Sequence, residues 1–104
     1  MKTPYIHIYG QSMNHDDLFI IGNKEGLIAL SDALDMVSAH WNDDSIGVDV
    51  FAKDGEGYKI IIKRANDDEM EQLMLPYTEG YANWKGKSPV ELIGVDVYKK
   101  LFGR

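Results

Sequence analysis

The chain contains no cysteine, which excludes disulfides, thiolate catalysis and cysteine-ligated zinc. Histidine is scarce, at three residues (His7, His15, His40). No apolar run approaches the ~20 residues needed to cross a bilayer. Positive charge is also short, with eleven Lys and Arg against seventeen Asp and Glu for a formal net charge of −6. A field of that sign repels a phosphate backbone, so general affinity for DNA or RNA is not expected. The six-residue glycine pattern of a dinucleotide fold and the glycine-rich Lys-Ser/Thr loop of a nucleotidase are both missing, and no catalytic triad, internal repeat or low-complexity segment is visible.

What is present is a folded chain. At 104 residues and 44% apolar content, one α+β domain spanning residues 1–104 is expected. The basic, aromatic loop and C-terminal helix at 78–104 are read as part of it. Met1 to Pro4 runs into a strand without a charged, apolar leader, so no secretory signal is read and a cytoplasmic location is expected.

The stretch from Leu18 to Val37 organises the fold. A short apolar strand (Leu18, Phe19, Ile20, Ile21) passes through Gly22 and Asn23 into an amphipathic helix starting at Lys24, with Asn23 as its N-cap. Leu27, Leu30, Leu34 and Val37 fall on one helical face, widened by Ile28, Ala33 and Met36, and are expected to face the core. Upstream, Thr3 to Tyr9 alternates as a strand with Ile6 and Ile8 inward and Tyr5, His7 and Tyr9 outward. Residues 46–52 and 58–64 form a second hairpin around the glycine-bearing turn KDGEG, with Ile46, Val48 and Val50 on one face.

Beyond that hairpin two readings stay open. Gln72 to Tyr77 is a fifth, edge strand ended by Pro76, or Asp67 to Leu75 is a short helix. Ser88, Pro89 and Glu91 have N-cap, N1 and N3 spacing and open a C-terminal helix that Gly94 interrupts. The expected fold is therefore an antiparallel sheet of four to five strands, in the order β-β-α-β-β-(β)-α, covered by one main helix, with a short C-terminal helix.

Charge is uneven along the chain. Residues 1–52 hold eight acids against two lysines, whereas residues 80–104 hold Lys85, Lys87, Lys99, Lys100 and Arg104 against Glu91 and Asp96. An anion would find its countercharge in that tail. The run Tyr77, Tyr81, Trp84, Lys85, Lys87 combines stacking surfaces with ammonium groups, a pairing suited to a base and its phosphate. The same Trp84 and Tyr81 also suit packing onto the core or a partner subunit. At the other end, Gly22 to Gly26 offers helix N-terminal amides with Lys24 beside them, read either as a phosphate corner or as a plain capped helix. Tyr9 belongs to the outward aromatic row. Neighbouring His15, Asp16 and Asp17 invite a metal or acid/base reading, against that of a solvated loop. No cofactor and no metal are expected.

The phrases HIYGQSMNHDD (His7 to Asp17), FIIGNKEGL (Phe19 to Leu27), DGEGY (Asp54 to Tyr58) and LPYT (Leu75 to Thr78) resemble small, mostly uncharacterised proteins encoded by bacteriophages and prophages. The resemblance covers about the first three quarters of the chain. It implies a setting in host cytoplasm, where compact phage proteins counter defence, one group of them as sponges that bind cyclic nucleotide or cyclic ADP-ribose type signals without cleaving them.

Three readings follow from residues and resemblance together. The first is a non-catalytic sponge, a homo-oligomer using Tyr9, Asn23, Lys24, Tyr81, Trp84, Lys85, Lys87 and Arg104 toward a small anionic nucleotide. The second is an inhibitor that binds a host defence protein through its acidic face. The third is a small hydrolase using His15.

Overall fold

The computed structural model describes residues 2–11, 16–39, 45–77 and 85–101. They form an α+β protein with two two-stranded antiparallel sheets and four helices. The chain divides into two compact units, Met1–Ile8 with Ile20–Arg64, and Tyr9–Phe19 with Ala65–Arg104. Among the described residues, no helix is long and apolar enough to cross a membrane.

The first unit is built on β1 (Ile6–Tyr9) and β2 (Phe19–Gly22), except for their residues Tyr9 and Phe19, with α1 (Lys24–Ala39), β3 (Ser45–Phe51) and β4 (Gly57–Lys63). Strands β3 and β4 pair antiparallel from Ser45 opposite Lys63 to Phe51 opposite Gly57, which puts Ile46, Val48 and Val50 on one face with Tyr58, Ile60 and Ile62. Their turn is closed by the Ala52 amide donating to Glu56 O (2.9 Å) and by Asp54 Oδ1 accepting from the Glu56 amide (2.9 Å). Gly55 has φ +90°, a conformation that disfavours any side chain.

The single continuous sheet expected from the sequence is not formed. Strands β1 and β2 have four residues each, and among the described residues one isolated parallel bridge, Tyr5 to Phe51, links them to the β3–β4 pair. That link is reinforced by the Phe51 amide on Pro4 O (3.0 Å), the Lys53 amide on His7 Nε2 (2.9 Å) and the Tyr58 hydroxyl on Ile6 O. Burial raises the pKa of Tyr58 above its ordinary value.

Helix α1 begins at Lys24, as its cap predicts, but of the stripe expected to face the core only one edge is buried. Gly26, Ala33 and Val37 are buried, whereas Leu27 (44% exposed), Ile28 (49%), Leu34 (49%) and Met36 (47%) are not. At Gly26 the cause is close approach of the Tyr5 backbone and the Ile6 side chain. A Cβ on Gly22 would lie 2.7 Å from Tyr5 O, and one on Gly26 would collide with that same oxygen. Only the glycine and small-residue face lets the helix sit this near. Likewise only Ile6 of the first strand is fully buried, while Ile8 is 41% exposed. At the other end of the helix, where no basic residue occupies the last turn, Arg64 Nη1 donates to Ser38 O (3.1 Å) and satisfies a terminal carbonyl from outside.

In the second unit the edge strand expected at Gln72 to Tyr77 is not formed, and of the alternative helix Asp67 to Leu75 the first six residues are helical. Asn66 caps α2 (Asp67–Gln72) through a capping box with Glu69, in which the Glu69 amide donates to Asn66 Oδ1 (2.8 Å) and the Asn66 amide to Glu69 Oε1 (3.1 Å). With those donors satisfied the helix nucleates, and the following segment makes only one bridge, Leu73 to Lys87. Ser88 and Glu91 form the expected box at the start of α3 (Pro89–Ile93). Bonds from Ser88, the backbone amide foremost, hold the Glu91 carboxyl below the usual carboxylate range. The C-terminal helix is divided, as Gly94 at φ +96° separates α3 from α4 (Val95–Lys100).

Candidate functional site

The residues read as binding candidates fall into three groups. Tyr81, Trp84 and Arg104 lie outside the described residues, as does His15. Asn23 and Lys24 belong to the first unit, and Lys85 and Lys87 to the second. Tyr9 closes β1 and is half exposed.

Asn23 is spent within the fold. Its Oδ1 accepts from the Gly26 amide (2.8 Å) and from the Tyr5 amide (2.9 Å), its Nδ2 donates to Thr3 O (2.8 Å), and its own amide donates to Tyr5 O (3.0 Å). The Asn23 side chain and amide and the Gly26 amide are thus taken up within the fold, while Lys24 is exposed. Replacing Asn23 by Ala removes the cap and leaves the Tyr5 and Gly26 amides without this acceptor. Loss of about 1–2 kcal/mol of stability is expected in denaturant melts, and a Ser at 23 should recover only the capping part. An unchanged midpoint for Asn23→Ala would refute the bridging role.

Among the described residues, a feature with the shape of a ligand site lies in the second unit. Met70, Leu73, Met74, Leu75, Pro76, Tyr77 and Pro89 line a pocket of about 520 Å³. Its lining is apolar apart from the Tyr77 hydroxyl and backbone groups, and two flexible methionines give it an adaptable surface. The sequence does not disclose most of it, because neither of the two readings of this stretch, the edge strand Gln72 to Tyr77 or the short helix Asp67 to Leu75, frames a pocket. The available signal was the run MLPY following a capped helix, apolar residues too few for a strand and barred by Pro76 from a longer helix.

One wall of the pocket is fixed by the segment that carries the lysines. The Lys87 amide donates to Gln72 O (2.7 Å) and the Met74 amide to Lys87 O (2.9 Å), the two bonds of a parallel bridge centred on Leu73. Partners in such a bridge send their side chains to the same face, so Lys87 leaves the backbone on the side of Leu73. Gly86, at φ +101°, permits this seam: a Cβ there would stand 2.7 Å from Gln72 O. The side chains of Lys85 and Lys87 are exposed. Among the described residues there is no group of three His, Asp or Glu that could hold a metal ion.

No protein-family model matches the chain, and no curated protein or solved structure shows significant similarity to it.

Proposed function

We propose that this protein binds and sequesters a small anionic nucleotide-like signal without cleaving it, in the manner of a phage anti-defence sponge. The apolar pocket of the second unit carries the reading. Its volume falls in the ~300–1,000 Å³ range of small-molecule sites, and its lining offers Met70, Met74 and Tyr77 to the face of a flat ring. Lys87 is paired through its backbone with Leu73, which lines the pocket, and Lys85 is two residues away; a ligand's phosphate reaching out of the pocket would turn to these lysines. A ring in an apolar seat with phosphate toward lysine is the arrangement such a ligand requires.

The test adds cyclic dinucleotides, cyclic ADP-ribose isomers and ordinary nucleotides to the purified protein and follows its melting temperature. A ligand present at ~100 times its dissociation constant adds ~2.7 kcal/mol, a shift of many degrees for a chain of this size. Heat release followed by chromatography should return the ligand intact, and Tyr77→Ala and Lys87→Ala should each weaken binding by about tenfold. Recovery of a cleaved product would make the protein an enzyme and sink the sponge reading.

A second reading rests on a separate observation. Asp32 and Asp35 are exposed on α1, in the half of the chain where acids outnumber lysines eight to two. An acidic face of this kind fits a basic surface on a host defence protein. No thermal shift across the panel, with salt-sensitive capture of such a partner, would favour it.

A further inference from the structure

We infer that α1 is the self-association surface of this protein, pairing antiparallel with α1 of a second copy across a two-fold axis. The helix carries two stripes. One, containing the buried Gly26, Ala33 and Val37, is consumed by the fold. The other runs Lys24, Leu27, Ser31, Leu34, Ser38, and all five residues are exposed. On it Leu27 and Leu34, one heptad apart, are left exposed, with serine or lysine between and beyond them.

The chemistry of the seam selects a second copy. Although the helix contains Glu25, Asp32 and Asp35, none of them lies on the seam itself, so two such stripes meet without like charges between them. Leucine alternates with serine along it, giving knobs and small holes on one surface. With the axis near residues 29–30, Leu27 of each copy meets Ser31 of the other, and the exposed Ile28 side chains approach each other at the axis. The same register brings Lys24 of each copy beside the partner's Asp35, which borders the seam. The surface is thus complementary to itself in shape and in charge, as an isologous contact must be. The overlap from Lys24 to Asp35 is about 17 Å of helix at ~1.5 Å per residue, a small interface suited to a micromolar dimer.

Sedimentation equilibrium from about 1 to 300 µM tests this, a span that reaches the weak association to which small interfaces belong. The wild type should change from chain mass to twice chain mass within that span. Leu27→Glu should raise the dissociation constant at least about 100-fold, since it sets a charge in the apolar contact. Lys24→Glu and Asp35→Lys should each weaken dimerisation by about tenfold, by placing like charges together at both ends. Both substitutions improve the match to the helix dipole, so neither should weaken the helix itself. An equal mixture of these two variants should dimerise better than either alone, because the mixed pair restores opposite charges at both ends. A wild type monomeric throughout, a dimer indifferent to Leu27→Glu, or a mixture no better than its components would each overturn the assignment. The surface is independent of the proposed ligand pocket.

Discussion

Replacing Gly26 by alanine should destabilise the first unit by about 2–3 kcal/mol, opposite in sign to the usual effect of that substitution in a helix. In an ordinary helix interior the change gains roughly 1 kcal/mol, because glycine loses more backbone entropy on folding. Here the added methyl would collide with Tyr5 O, and it would lie 2.7 Å from Ile6 Cγ1 and 2.9 Å from the Tyr5 carbonyl carbon. Two of these three are backbone atoms, which cannot rotate out of the way. The Tyr5 oxygen is also held by the Asn23 amide at 3.0 Å, so moving the strand away from the helix costs that bond as well. Relief requires α1 to lift from β1, separating Ala33 and Val37 from the surface they cover. Urea or thermal melts of Gly26→Ala measure the effect, at about 4–8 °C per kcal/mol for a chain of up to ~100 residues. A variant as stable as the wild type or more so would falsify the close approach of Tyr5 to α1.

Much of the local structure is legible in the sequence. Asn23 before a periodic run marks the start of α1, the glycine in KDGEG marks the β3–β4 turn, and Ser88-Pro89-x-Glu91 marks α3, because each signal acts through groups a few residues apart. The inward face of α1 is not legible in the same way. Hydropathy favours Leu27 and Leu34, yet they stay exposed and the helix buries Gly26, because what decides there is contact with a strand some twenty residues earlier. The sheet misreading has a similar origin. Antiparallel neighbours follow from short turns, but whether two strand pairs merge depends on a non-local link, here, among the described residues, the Tyr5–Phe51 bridge. At the candidate site, attention to charge and aromatic rings led to Lys85 and Lys87 but not to the apolar wall. The parallel bridge between Leu73 and Lys87, fourteen residues apart, has no periodic signature.

The strongest contrast along β1 is expected between its two isoleucines. Both have strand spacing for an inward face, yet Ile6 has no exposed surface and Ile8 is 41% exposed. Ile6→Ala should lose about 2–5 kcal/mol, combining lost transfer energy with the cavity left beneath α1. Ile8→Ala should lose less than about 1 kcal/mol, since much of its side chain already meets solvent. The Ile6 carbonyl, which accepts from the Tyr58 hydroxyl, is retained in the alanine variant, so the difference reports packing and not that bond. Combining Ile6→Ala with Gly26→Ala adds a further check, because the alanine at 6 removes the Cγ1 atom that the new Cβ at 26 would strike. The double variant should therefore be more stable than the sum of the single losses predicts, with a coupling of about 0.5 kcal/mol or more between residues in contact. It should still fall short of Ile6→Ala alone, because the collision with Tyr5 O persists whatever side chain stands at position 6. Strict additivity, or equal losses at Ile6 and Ile8, would mean that the first strand and α1 do not meet through Ile6.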